Sequence, residues 1–290
     1  MYAADMFDSR SQRELLHALV LWLEIRGIAV VTGESGVGKS ITFRRFVQTL
    51  DEARFRVIHL TNMPTTTMGF LRSLNRALGL PMRQHAADLF DQAHAHLTAH
   101  GDDGGPHPLL LLEDAEGMRP PLLDLVRRLT SYALDAEDRF SVLISGTDAL
   151  LRTLRDPTLQ PFVTRIGFAS TLKPYTLEDT RNYVAFHLQR GGARAGLFSD
   201  DAIRRIFQAS QGVPRRVNQL ALHMLIHAAV VGQDTVGGDF VAAHPLYDAP
   251  EAPHDLDHPA PQPPRLLSLR ALAASAPAVL FDAPAPLGPL

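Results

Sequence analysis

Short apolar runs alternate with longer runs of helical period along most of this chain. The segments 28–32 (Ile-Ala-Val-Val-Thr), 56–60 (Arg-Val-Ile-His-Leu), 109–112 (Leu-Leu-Leu-Leu) and 140–145 (Phe-Ser-Val-Leu-Ile-Ser) are too short for helices and read as strands. A last short strand is predicted at 166–168. Between them, residues 41–50, 67–78, 86–99 and 120–134 repeat apolar positions every three to four residues, the period of a helix with one buried face. Strand–helix alternation predicts a parallel sheet with helices on both faces. The lead-in, residues 1–25, carries Phe7 and the run Leu15–Leu23, predicted to pack as a helix on that sheet. From Thr176 the pattern becomes wholly helical, over 177–189, 199–210 and 214–231, with Ser199 as an N-cap ahead of acidic residues. After residue 245 the periodicity ends and Pro, Ala and acidic residues dominate, a composition that buries too little surface to fold alone. The predicted organisation is an α/β domain at 1–172, a small helical domain at 173–244 and a disordered tail at 245–290. Within the tail, residues 265–272 (Arg-Leu-Leu-Ser-Leu-Arg-Ala-Leu) have the spacing of a short amphipathic helix for a partner, a simple spacer being the other reading.

Composition narrows the picture in two ways. The 290 residues contain no Cys, which excludes disulfides, thiolate chemistry and Cys-based metal sites and fits a reducing cytoplasm. Net charge is −3 and is concentrated in the acidic tail, so the body is not a broadly basic nucleic-acid binder. The start is neither basic nor followed by an apolar core, so no secretory leader is expected, and no run reaches the length of a membrane span. The 13 histidines are scattered; His223 and His227 stand four apart but lack an evident third ligand, and read as packing or surface residues.

One motif decides the chemistry. Gly33-Glu34-Ser35-Gly36-Val37-Gly38-Lys39-Ser40 is a complete G-x-x-x-x-G-K-S phosphate loop, lying between a predicted strand and a predicted helix that begins near Ile41. Glycines let main-chain N–H groups turn inward around phosphate oxygens, Lys39 supplies a point charge, and Ser40 offers a hydroxyl to Mg²⁺. Only one other lysine, Lys173, occurs in the chain, so its placement here is informative. The strand 109–112 ends in Glu113-Asp114-Ala115, where acids that hold the metal shell and orient water belong. Ser145 and Thr147 at the end of the next strand are candidates for a polar group near the γ-phosphate. Arg215, at the start of a late helix, can reach back to phosphates, and Arg165 can act on a neighbouring subunit.

Taken in order, these motifs resemble AAA+ ATPases, in the branch that holds secretion-type ATPases and the ATPase subunits of transposons and insertion sequences. Gly146-Thr147-Asp148-Ala149-Leu150, Thr164-Arg165-Ile166, Leu172-Lys173-Pro174-Tyr175 and Gly212-Val213-Pro214-Arg215-Arg216-Val217-Asn218 carry the resemblance beyond the loop, over roughly residues 5 to 235. The resemblance implies ATP held by Gly33 to Ile41 and Arg215, Mg²⁺ held by Ser40 and Glu113, and catalysis by Glu113, Asp114, Thr147 and Arg165. It also implies a cytoplasmic, ATP-dependent homo-oligomer, a ring or filament, on duplex DNA, recruiting or regulating a transposase with the 245–290 tail as one contact. Residues 61–67 and Arg119, Arg127 and Arg128 are candidate DNA contacts. A secretion-type ATPase and an ATP-gated scaffold with little hydrolysis are the other readings. The chain departs from the family pattern in having Glu then Asp where Asp then Glu is usual, and Thr147 where Gln is usual. The first departure implies slow turnover.

Overall fold

The computed structural model describes residues 6–61, 63–99, 105–132, 138–193 and 196–243. Asn62, most of the 101–106 loop, the end of the helix expected at 120–134, and the tail with its 265–272 patch lie outside the described residues.

Five strands form one sheet: β1 (Ile28–Thr32), β2 (Phe55–Leu60), β3 (His107–Leu112), β4 (Ser141–Gly146) and β5 (Ile166–Thr171). All are parallel, in the order β2-β3-β4-β1-β5. Every residue of β1 and β4 is buried, as expected of strands covered on both faces. β5 is longer than its apolar core predicts. It is the edge strand, its residues alternate between half-buried and exposed, and Ser170 and Thr171 pair with β1 without being apolar. A period-2 pattern of mixed polarity is the weakest strand signal in a sequence.

The two faces of the sheet carry separate apolar layers. On one face α1 (Arg10–Ile25) and α2 (Lys39–Thr49) bury Leu15, Leu19, Trp22, Phe43 and Phe46 against Ala29, Val31, Leu109, Leu111 and Leu143. Phe43 and Phe46 are fully buried, each contributing about 3 kcal/mol of transfer free energy. On the other face, α3 (Thr67–Ala77), α4 (Ala86–Ala99), α5 (Pro120–Thr130), α6 (Asp148–Leu154) and α7 (Gln160–Val163) cover Val30, Ile58, Leu110, Leu112, Val142 and Ile144.

A third apolar cluster lies among α8 (Leu177–Arg190), α9 (Asp200–Ser210), α10 (Pro214–Val231) and α11 (Gly238–Ala242), centred on Ile206, Val217, Met224 and Val241. The lead-in is shared between layers, contrary to the expectation that all of it packs on the sheet. Phe7 stacks edge-on against Tyr175 and Tyr183 at 5.6 and 5.4 Å, in the helical part. Ser9 then caps α1 in a reciprocal box with Gln12, turning the chain onto the sheet.

At the start of β3, His107 is held by Ser141 Oγ at 2.9 Å and lies edge-on to Phe55. Burial, helped by nearby Arg26, pushes its pKa down from 6.5 to about 4. The folded-state value lies below the unfolded one, so the unfolded chain takes the proton first. Stability from this site is complete above pH 6.5 and is lost as pH falls toward 4. After discounting for partial exposure the loss is about 2 kcal/mol. Urea unfolding of wild type and His107→Phe at pH 7.5 and 4.5 is expected to show a smaller acid loss in the variant; equal losses would remove His107 from the account.

Candidate functional site

The loop 33–38 connects the buried end of β1 to the first turn of α2. Gly38 stands at the N-cap and provides no side-chain cap, so the first amides of α2 are not committed to a capping side chain. An anion at this point meets both free amides and the positive end of the helix. Lys39 is buried and its Nζ donates to Gly33 O at 2.8 Å and Glu34 O at 3.2 Å. The ammonium therefore braces the loop from inside. Burial pushes the Lys39 pKa down, Glu116 and then Asp114 oppose that, Arg215 adds to it and Asp148 opposes it. Ser40 and Ile41 are exposed at the start of α2.

The late helix closes over the loop. Arg215 N donates to Gly36 O at 3.3 Å, and Arg215 Nη1 donates to Ser35 Oγ at 3.4 Å. Arg216 Nη2 stands 3.3 Å from Glu34 Oε1. Gly36 is required by this approach, since a Cβ there would lie 2.7 Å from Arg215 Cβ. A second brace comes from α1: Gln12 is buried, and its Nε2 donates to Thr42 Oγ1 at 3.4 Å, beside Gly38. The cradle has the residues ATP needs: uncommitted amides, a buried cation and a covering arginine. Ser40 and Glu113 would hold Mg²⁺, which supplies charge neutralisation of the phosphates when bound.

The two acids after β3 occupy different environments. Glu113 is buried, on the α2 face by strand alternation, and its Oε1 lies 2.7 Å from His59 Nε2. Asp114 is exposed and adopts φ 55°, ψ 45°, the left-handed region. Short Asp tolerates that region better than Glu, because its carboxylate can bond locally. The backbone thus gives a physical reason for the order Glu-Asp.

The remaining expected residues are spread around this centre. Thr147 caps α6, its Oγ1 accepting from Ala149 N at 3.4 Å. Ser145 is buried on β4. Arg165 Nη1 donates to Thr130 Oγ1 at 3.4 Å, between α5 and β5. The structure brings the loop, Arg215 and the Glu113–Asp114 turn together; it leaves Arg165 beside α5. Glu116, Asp148, His59, Gln12 and Arg216 were not singled out in the sequence. Only His59 had a readable signal, a polar residue next to the end of an apolar strand. Among the described residues no group of three or more His, Asp or Glu side chains is arranged to hold a metal by itself.

Residues 24–154, the segment that holds the loop, the acids and Thr147, match a protein family described as the AAA domain. This segment is an AAA domain. The parallel sheet between helices, four of whose five strands lie in this segment, has the P-loop ATPase fold. The chain is also 28% identical over 212 residues to general secretion pathway protein A of Aeromonas hydrophila, covering 72% of this chain and 38% of that protein. It therefore spans well under half the length of this relative. The structure of the ORC2 protein of Aeropyrum pernix in ADPNP–ADP complexes has a TM-score of 0.59 at 17% identity, over 81% of this chain and 67% of that one. The ORC1 protein of the same organism, in complex with DNA, has a TM-score of 0.56 at 16% identity, over 82% and 65%. Both likenesses cover more of the chain than residues 24–154, and both are likenesses of fold. No helix among the described residues is long and apolar enough to cross a membrane.

Proposed function

We propose that the chain is an ATPase that binds ATP with Mg²⁺, assembles into a homo-oligomer on duplex DNA, and recruits or regulates a transposase. The observation that carries the nucleotide reading is the braced and covered loop: Lys39 bonded to two loop carbonyls, with Arg215 seated on Gly36. In this reading the loop amides and Lys39 bind the phosphates, Glu113 and Ser40 face the metal, and Asp114 orients the attacking water. Thr147 lies at the strand end nearest that water, Arg215 reads the phosphates from the helical side, and Arg165 acts on a neighbouring subunit. The helical segment 173–244 then serves as a lid over the nucleotide, with the tail 245–290 as a contact for the transposase. Asp114→Asn keeps a side chain suited to the left-handed turn and is expected to lower ATP turnover at least tenfold with nucleotide affinity unchanged.

Support for DNA is the fold likeness to a protein solved in complex with DNA. Of the arginine candidates, Arg127 and Arg128 both lean on Asp124, at 2.8 and 3.4 Å, and Arg128 also covers Phe90. Arg119, exposed at the N-cap of α5, is the better contact. The similarity to general secretion pathway protein A favours a second reading, a secretion-type ATPase. Electron microscopy of the purified chain with a non-hydrolysable ATP analogue decides between them. Rings or filaments that form or lengthen only when duplex DNA is added support the DNA reading. Assembly indifferent to DNA sinks it in favour of the second.

A further inference from the structure

Glu113 sits between two neighbours that offer its carboxylate different partners. On the β2 side, His59 Nε2 holds Oε1 at 2.7 Å. On the β4 side, Ser145 is 1% exposed and its hydroxyl has no hydrogen-bond partner among the described residues. Leu112 pairs with Ile144, so the next row places Glu113 beside Ser145. Alternation turns both side chains to the face that carries Leu111, Leu143 and Phe43. Neighbouring strands are about 4.8 Å apart, within the swing of a Glu side chain. A buried hydroxyl without a partner costs about 1–3 kcal/mol, so an unused donor beside a carboxylate calls for a reason.

Strand order gives the two positions a direction. In the sequence β2-β3-β4-β1, β1 feeds the phosphate loop. Turning from His59 toward Ser145 therefore carries the carboxylate toward the loop, and turning back withdraws it.

The geometry points to a carboxylate with two seats. His59 holds Glu113 in the withdrawn seat. Ser145 is a positioning residue whose hydroxyl donates to Glu113 in the forward seat and holds it toward a divalent cation on the bound phosphates. This inference rests on the nucleotide reading above. Removal of a group that orients a metal-holding side chain lowers metal affinity about tenfold or more.

The experiment titrates the full chain with a fluorescent ATP analogue, first in EDTA and then with increasing Mg²⁺, and records the thermal midpoint. Ser145→Ala is expected to bind the analogue as wild type does in EDTA. It should need about tenfold more Mg²⁺ to reach its tight-binding state, with no loss of thermal midpoint. Ser145→Thr, which keeps the hydroxyl, should restore the wild-type Mg²⁺ requirement. His59→Phe should lower that requirement, because it removes the withdrawn seat. An unchanged Mg²⁺ requirement in Ser145→Ala overturns the forward seat. So does a parallel fall in EDTA affinity and thermal midpoint, which would mark Ser145 as packing alone. Failure of wild type to bind the analogue at any Mg²⁺ concentration, as well as in EDTA, is a different result and sinks the nucleotide reading itself.

Discussion

Lys39→Ala is expected to abolish nucleotide binding. Its Nζ makes two charge-assisted bonds to loop carbonyls, Gly33 O and Glu34 O, from a buried position. The variant loses the phosphate partner and also leaves those carbonyls without the brace that holds the loop open. Loss of one charged contact of this kind is worth about 1.5–3 kcal/mol, and the loss of loop geometry adds to it. Affinity for a fluorescent ATP analogue should fall about a thousandfold, which corresponds to about 4 kcal/mol. Because α2 still buries Phe43 and Phe46, the thermal midpoint without nucleotide should stay near that of wild type. The added stability that nucleotide gives the wild type should vanish in the variant. An unchanged affinity would remove the loop from the binding site.

Gly212→Ala is expected to cause the largest loss of stability. Gly212 has φ 71°, and a Cβ there would run into the carbonyl oxygen of Tyr175, with the Phe207 ring 3.2 Å away. The same close approach is fixed from the other side, since Tyr175 N donates to Gly212 O at 2.9 Å. Neither main-chain segment can retreat without giving up that bond. Backbone strain plus the clash should cost about 3 kcal/mol or more. Gly79→Ala is the comparison: its φ is 73°, but a Cβ there meets nothing within 4 Å, so it should cost only about 1 kcal/mol. Urea unfolding of both variants separates strain from collision, and equal losses would refute the packing argument. Gly212→Ala should also weaken ATP binding, because Arg215 follows three residues later and depends on this turn for its approach to Gly36.

The parts of the fold that could be read in advance are those where local pattern and burial agree. β1 is apolar throughout and wholly buried, the loop glycines follow at fixed spacing, and α10 begins at Pro214 and ends at Val231 as its periodicity predicts. Legibility fails where the deciding partner is remote. Phe7 looks like the start of the α1 stripe, yet its ring lies among Tyr175, Tyr183 and Phe186, far along the chain. The 148–154 helix is a single short element capped by Thr147, too brief for a periodic signal. Within the site, the loop and the two acids were readable because their chemistry is local. The contact of His59 with Glu113 and the adjacency of Ser145 depend on strand register, which no single segment encodes. The inverted acids acquire a physical reason only once the backbone at Asp114 is seen to be left-handed.

The seating of the last large helix on the loop has a kinetic meaning. Arg215 is tied to Gly36 and Ser35, and Arg216 stands against Glu34, so on the nucleotide reading proposed above the same five residues that would greet an incoming nucleotide would also bar its departure. On that reading, spent nucleotide would escape only after these ties part, and the dwell time of each cycle would be set by how often the two layers breathe rather than by the speed of bond cleavage.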